Sequence, residues 1–357
     1  MRSQGVPDRV IDLAKRPQRQ STSGVYNSQW ESFVDYSRSK HVNPLHASEG
    51  FIAEYLLTLF EKGRLPSTIK VHRAAIGSVL KYLNPGLAHS VLIKDLISRF
   101  ELDRPRNRHT FPKFDIDLVL RQLLKPPFVD SNGSDLRIPL KILAYKTAFL
   151  LALATGARVS EIHALSRRPV RFSLERDQAS GEVKIISHTR PGFLRKNSKP
   201  TVCEEPVIIR SMKHLVGRHD LERLLCPVRA VTVYISRTPD GAWPVEEEII
   251  LRHPDPLIRT TKGHVAVWIK NAISLAYVQA KEVTDDIHIN AHEVRAVSHS
   301  LVAFDGASLN EILEGGRWKS SGSFLQHYFR DMSRSSATSG RPIVVAGRIL
   351  GGPPASS

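Results

Sequence analysis

The stretch LKILAYKTAFLLALATGARVSEIHALS, Leu140 to Ser166, decides how the rest of the chain is read. From Leu140 to Ala154 it is apolar almost all round, the pattern of a helix buried on every side. The run stops at Thr155-Gly156, and a new helical pattern starts around Ala157. Arg158 therefore stands at a sharp turn near a helix N-terminus, where backbone N–H groups and a guanidinium fork favour an anion. Glu161 follows at i+3, within reach of Arg158. A plain surface Arg–Glu pair fits the same residues, so the other partners of Arg158 must be sought elsewhere in the chain.

The 357 residues suit two domains with tails. The formal net charge is +16, and the isoelectric point is near 10.0. Basic residues spread along the chain and cluster in DRPRNRH (Asp103 to His109) and SRRPVRF (Ser166 to Phe172). Such an excess on a folded chain favours a polyanionic partner, and nucleic acid is the commonest. The competing reading is a basic protein with no such partner. Cys203 and Cys226 are the only cysteines; they make neither a CxxC motif nor a disulfide framework, which fits a reducing compartment. No apolar run has membrane length, and MRSQGVPDRVIDLAKRPQRQSTSG lacks the apolar core of a signal peptide, so an intracellular protein is expected.

Residues 1–24 are polar, basic and expected to be loose. Helical patterns follow over 25–102, in YNSQWESFVDYSRSK, SEGFIAEYLLTLFEKG, PSTIKVHRAAIGSVLKYLNPG and HSVLIKDLISRFEL. The third of them is expected to carry Lys70, His72, Arg73 and Lys81 on its polar face. DRPRNRHTFPKF breaks the periodicity over 103–113; with Arg104, Arg106 and Arg108 it suits a linker lying along a phosphate backbone. The second part, 114–335, opens with DIDLVLRQLL and the buried helix. Two or three strands follow, VRFSL, EVKIIS and PVIIR, the last two separated by the polar excursion HTRPGFLRKNSKPTVCEE. Helices return at CPVRAVTVYIS, GHVAVWIKNAISLAYVQA, NAHEVRAVSHSLVAF and GGRWKSSGSFLQHYFRD. In the last of these, Phe324, Leu325 and Tyr328 form the expected buried face. Residues 336–357 read as a tail in which IVVAGRIL is a short apolar patch. The chain as a whole reads as mainly α with a small β-sheet.

In INAHEVRAVSHSLVAF, His292 and Arg295 lie three apart on one helical face. A zinc-protease helix would need His-Glu-x-x-His. Here an arginine stands near the place of the second histidine, and a guanidinium does not ligate zinc. A histidine and an arginine on one face grip phosphate instead; two polar surface residues are the plainer alternative.

TGARVSEIHAL, then HEVR, then Trp318, then Tyr328, in that order, resembles the tyrosine recombinase (phage integrase) family. The resemblance covers most of the chain. It places Arg158 on the family's first arginine, Glu161 on the acidic residue after it, and His292 and Arg295 on the His-x-x-Arg pair. Trp318, 23 positions after Arg295, takes the His/Trp place, and Tyr328 that of the nucleophile. The gap between Trp318 and Tyr328 is one residue longer than in the better-known bacterial and phage members. The family's hairpin lysine falls on Lys196, which follows PGFLR, with Lys199 as substitute and Lys184 as a more distant choice. A solvated loop lysine is the ordinary reading of any of them. PGFLRKN, LCPVRAV and WKSSGSFLQHYFRD are most similar to recombinases of eukaryotic mobile elements, the tyrosine-recombinase retrotransposons and cryptons, which implies nuclear residence.

The resemblance implies an N-terminal helical core-binding (SAM-like) domain followed by an α+β catalytic domain. It also implies double-stranded DNA as partner, tetrameric synapsis, and strand cleavage through a 3′-phosphotyrosine with no metal or other cofactor. In that chemistry Arg158 and Arg295 hold the scissile phosphate, His292 donates to it or takes the phenol proton, and Trp318 donates its indole N–H to a phosphate oxygen. Lys196 protonates the leaving 5′-oxygen. Three other readings stand beside this one: a DNA-binding derivative without catalysis, a type IB topoisomerase-like relaxer, and a structural basic protein.

Overall fold

Helices begin in this chain where a small polar residue or a proline precedes an apolar stripe. The computed structural model describes residues 20–81, 83–105, 111–179, 181–195, 205–211, 223–243, 248–282, 290–304, 306–318 and 320–332. The chain divides into two compact units, Met1–Asn107 and Arg108–Ser357.

The first unit contains α1 (Gln20–Ser39), α2 (Glu49–Glu61), α3 (Pro66–Leu80) and α4 (Val91–Asp103). Ser48 accepts a bond from Phe51 N at 3.2 Å and Ser90 one from Ile93 N at 3.0 Å, satisfying donors that a first turn leaves open. Pro66 opens α3, where a missing N–H costs nothing. The stripes meet in a core that includes Phe33, Tyr55, Leu56, Ile69, Ile76 and Phe100. Helix α1 reaches back to Gln20, into the stretch expected to be loose; no proline lies between Pro17 and Val25 to stop it.

Two residues of this unit depart from their expected role on DNA. His72 is 5% exposed and is a core residue rather than part of the polar face. It falls three residues after Ile69 and four before Ile76, on the apolar stripe. Its Nδ1 lies 2.9 Å from Tyr55 Oη, which also bonds Ser32 Oγ at 3.0 Å. Burial, and then the Arg64 charge, hold its pKa below the usual histidine range. Arg104 packs its guanidinium 3.8 Å from the Phe60 ring centroid and donates to Phe60 O at 2.6 Å, closing the end of α2. Lys70 is exposed and pairs with Glu101 at 2.7 Å, and Lys81 is exposed. Arg106 and Arg108 lie outside the described residues.

The second unit contains α5 (Ile116–Gln122), α6 (Leu140–Thr155), α7 (Val159–Ala164), β1 (Phe172–Arg176), β2 (Val183–Ser187), β3 (Val207–Arg210), α8 (Pro227–Arg237), α9 (Lys262–Ala280), α10 (Ala291–Phe304), α11 (Leu309–Gly315) and α12 (Ser321–His327). Helix α6 is buried at every position from Leu143 to Thr155, and α8, α9 and α10 pack on it. Lys146 is its one buried cation. Its Nζ donates to Phe128 O at 3.2 Å and lies 3.9 Å from Asp135 Oδ2, and burial lowers its pKa to about 8. The strands form an antiparallel sheet in the order β1-β2-β3, with Ile185 opposite both Leu174 and Ile209. Ile185 and Ile209 face the core, which fixes the register because a one-residue slip would expose both. The expected mainly helical chain with a small sheet is what the structure shows.

Two elements near the end differ from the sequence reading. Helix α11 is additional, and its signal was present: Ser308 and Glu311 form a capping box, with Ser308 N donating to Glu311 at 2.8 Å. Helix α12 is short. Phe324 is buried, but Leu325 is 52% exposed, about 100° further round the helix, and Tyr328 is the half-buried C-cap. The IVVAGRIL patch lies outside the described residues.

Candidate active site

The site begins where α6 ends. Gly156 takes φ 54°, the left-handed conformation that stops the helix and turns the chain. Arg158 is the N-cap of α7, so this helix starts at Val159, two residues later than its pattern suggests. Glu161 accepts from Arg158 N at 2.9 Å and from Arg158 Nη1 at 3.2 Å. The expected Arg158–Glu161 contact therefore forms, with Glu161 buried and the Arg158 side chain 13% exposed. The carboxylate aims the guanidinium and fills the helix N-terminus, where an anion would otherwise sit.

Helix α10 supplies the next two residues. His292 is exposed, and Arg295, one turn on, is buried. Arg295 donates through Nη1 to Gly156 O and through Nη2 to Gly316 O at 2.5 Å. One guanidinium thereby fastens the α6–α7 turn to the segment after α11. Burial first, and then the charge of Arg158, lower its pKa to about 10, so it stays cationic at neutral pH.

Gly316 brings Trp318 in. The Arg295 guanidinium carbon lies 4.4 Å from the Trp318 ring centroid, and that of Arg158 lies 5.9 Å away. The Tyr328 ring meets Trp318 edge-on at 4.2 Å between centroids and His292 at 5.7 Å with an interplanar angle of 89°. Arg158, His292, Arg295, Trp318 and Tyr328 therefore form one cluster. Ten positions separate Trp318 from Tyr328, yet α12 folds the tyrosine back onto the tryptophan. Trp318 Nε1 is buried and has no hydrogen-bond partner among the described residues.

Further residues around this cluster went unrecognised in the sequence. Arg330 donates from Nε and Nη2 to Glu293 at 2.7 and 2.9 Å in a buried ion pair. Ser300 Oγ accepts from Arg330 N at 2.8 Å and donates to Tyr328 O at 3.4 Å. The segment after α12 is thus bolted to α10, on a face about a quarter-turn round the helix from His292. A buried Arg–Glu contact 37 residues apart leaves no periodic trace in the sequence.

Lys196 and Lys199 lie outside the described residues. The ends of their excursion are anchored: Arg195 donates to Glu205 O at 2.7 Å, and Arg317, next to Trp318, donates to Glu205 Oε2 at 3.4 Å and to Pro206 O at 3.2 Å. Lys184 is engaged across the sheet with Glu175 at 3.2 Å.

A cavity of about 190 Å³ lies elsewhere in this unit, lined by His163, Arg190, Glu248, Arg259 and Thr260 among others. Among the described residues, neither Arg190 nor Arg259 has a side-chain partner. Also among the described residues, no group of three or more His, Cys, Asp or Glu side chains could hold a metal ion, and no helix is long and apolar enough to cross a membrane.

The fold these elements make, a helical bundle followed by a helical unit with a three-stranded sheet, is that of a DNA integrase of known structure. It is similar to the Tn1549 transposon integrase in complex with transposon right end DNA, at TM-score 0.57 and 11% identity over 90% of this chain and 93% of that one. Two structures of the same integrase in complex with circular intermediate DNA are similar at TM-scores of 0.56 and 0.55 and at 11% and 13% identity, with the same coverage. No protein-family model and no curated protein sequence matches the chain.

Proposed function

We propose that this chain is a tyrosine recombinase that cuts and rejoins DNA through a 3′-phosphotyrosine. The observation that carries this is the convergence of Arg158, His292, Arg295, Trp318 and Tyr328, from four separate segments, around one pair of cations. Two guanidiniums this close repel each other, and a phosphodiester between them relieves the repulsion. Tyr328 Oη attacks the phosphorus and forms the O–P bond. His292, beside its ring, takes the phenol proton. The bond to the 5′-oxygen breaks, and Lys196 supplies the proton for that oxygen. Arg158 and Arg295 stabilise the charge on the non-bridging oxygens. Attack by a 5′-hydroxyl reverses the steps and reseals a strand, so the bond energy is kept.

The first unit is read as the core-binding domain and residues 103–113 as its link to the catalytic part. Arg190 and Arg259 suit a backbone phosphate away from the scissile one. Tetrameric synapsis, a eukaryotic mobile element as source and nuclear residence rest on the family resemblance of the sequence motifs. The deciding experiment uses a nicked suicide duplex carrying the element's terminal sequence. A covalent protein–DNA adduct is expected from the wild type and none from Tyr328→Phe. DNA binding without an adduct would assign a non-catalytic DNA-binding protein, and plasmid relaxation without strand exchange a topoisomerase-like one.

A further inference from the structure

His299 lies one helical turn past Arg295 on α10 and is 1% exposed. Its Nδ1 is 2.8 Å from Arg295 O. A carbonyl only accepts, so Nδ1 carries the proton and Nε2 holds a lone pair. Burial, and then the Arg295 charge, lower the histidine pKa to about 3, which keeps the ring neutral beside two guanidiniums.

Nε2 of His299 and Nε1 of Trp318 are both buried, and neither has a hydrogen-bond partner. The first is an acceptor and the second is a donor only. Their rings meet edge-on at 5.8 Å with an interplanar angle of 79°. They also crowd one point. A Cβ added to Gly316 would lie 2.1 Å from Trp318 Nε1 and 2.6 Å from His299 Nε2. On the other side, a Cβ added to Gly156 would lie 2.3 Å from His299 Cε1. The two glycines whose carbonyls hold Arg295 are thus the two that make room for His299.

We propose that the single indole N–H of Trp318 is held by His299 and not by a substrate phosphate, which makes His299 a positioning residue for Trp318 and Arg295. A bond between them satisfies two groups that are otherwise buried and unpaired, a costly state for each. Trp318 then serves through its ring face, on which the Arg295 guanidinium rests. The proposal rests on the recombinase reading for the role of Arg295, but its first test does not require activity.

Labelling the tryptophan indoles with nitrogen-15 resolves the side-chain N–H signals, and Trp318→Phe identifies the one from Trp318. In His299→Phe, which keeps a ring and removes the acceptor, that signal is expected to move upfield and to exchange faster with solvent. In His299→Gln, whose amide oxygen can accept, it is expected to return toward the wild-type position, and this variant also serves if the Phe variant does not fold. A Trp318 signal identical in the wild type and the His299 variants overturns the proposal. In the adduct assay, Trp318→Phe keeps the ring under Arg295 and is expected to slow adduct formation by less than about tenfold. A loss of about a hundredfold or more is what removal of a transition-state donor costs, and would return the N–H to the phosphate. If the wild type forms no adduct, the recombinase reading fails, and the indole signal still decides where the N–H points.

Discussion

The guanidinium of Arg295 rests 4.4 Å from the ring centroid of Trp318, while its terminal nitrogens hold the carbonyls of Gly156 and Gly316. A planar cation is the one side chain that can do both. It stacks on an aromatic face and forks to two acceptors in its own plane. A lysine keeps the charge and loses both geometries. Arg295→Lys is therefore expected to slow covalent adduct formation by about 10²–10³-fold, with the helical circular dichroism spectrum retained. A variant as fast as the wild type would remove Arg295 from the site.

The Arg330–Glu293 pair answers why an arginine follows so soon after Tyr328. It joins the tyrosine segment to the helix that carries His292 and Arg295. Arg330→Ala leaves a buried carboxylate unpaired and is expected to cost about 3–5 kcal/mol in urea unfolding. Combining Arg330→Met with Glu293→Leu replaces the pair by apolar side chains and should recover much of that loss. Equal destabilisation by Arg330→Ala and the double variant would show that the pair is not the cause.

His72 and Lys70, two residues apart on α3, should separate cleanly. His72→Ala removes a core side chain bonded to Tyr55, so the expected loss is in stability, with the salt dependence of DNA binding unchanged. Lys70→Ala is expected to leave stability within about 0.5 kcal/mol. If it meets a phosphate, it should lower the slope of log affinity against log salt by about 0.9. Salt titrations of DNA binding, paired with thermal unfolding, check both.

His299 makes stability depend on pH in a stated direction. Its folded pKa, about 3, lies below the unfolded value of about 6.5, so in acid the unfolded chain binds the extra proton. The contribution is complete above about pH 6.5 and falls as pH drops toward 3, by up to about 1.4 kcal/mol per pH unit. Urea unfolding of the wild type and His299→Gln between pH 7 and 5 reads the difference. Parallel pH profiles would mean that the histidine is not buried neutral.

Much of this was legible in the sequence because it is local. The apolar run of α6, the break at Gly156, and the i, i+3 spacing of Arg158 with Glu161 and of His292 with Arg295 are all set within a few residues. Periodicity and caps report such features directly. The reading failed where a side chain's environment depends on distant parts of the chain. His72 stands at core spacing with Ile69 and Ile76, but its polarity masked this, and its contact with Tyr55 makes it core. Leu325 is apolar, but it lies about 100° round α12 from the buried Phe324 and stays in water. Sequence order alone set the four catalytic-type motifs in line and raised the question of the ten-residue gap before Tyr328. Tertiary structure decided that the gap closes. It also buried the Trp318 N–H beside the His299 ring and paired Arg330 with Glu293, because burial and hydrogen-bond partnership are properties of contacts between segments, which no single stretch of sequence contains.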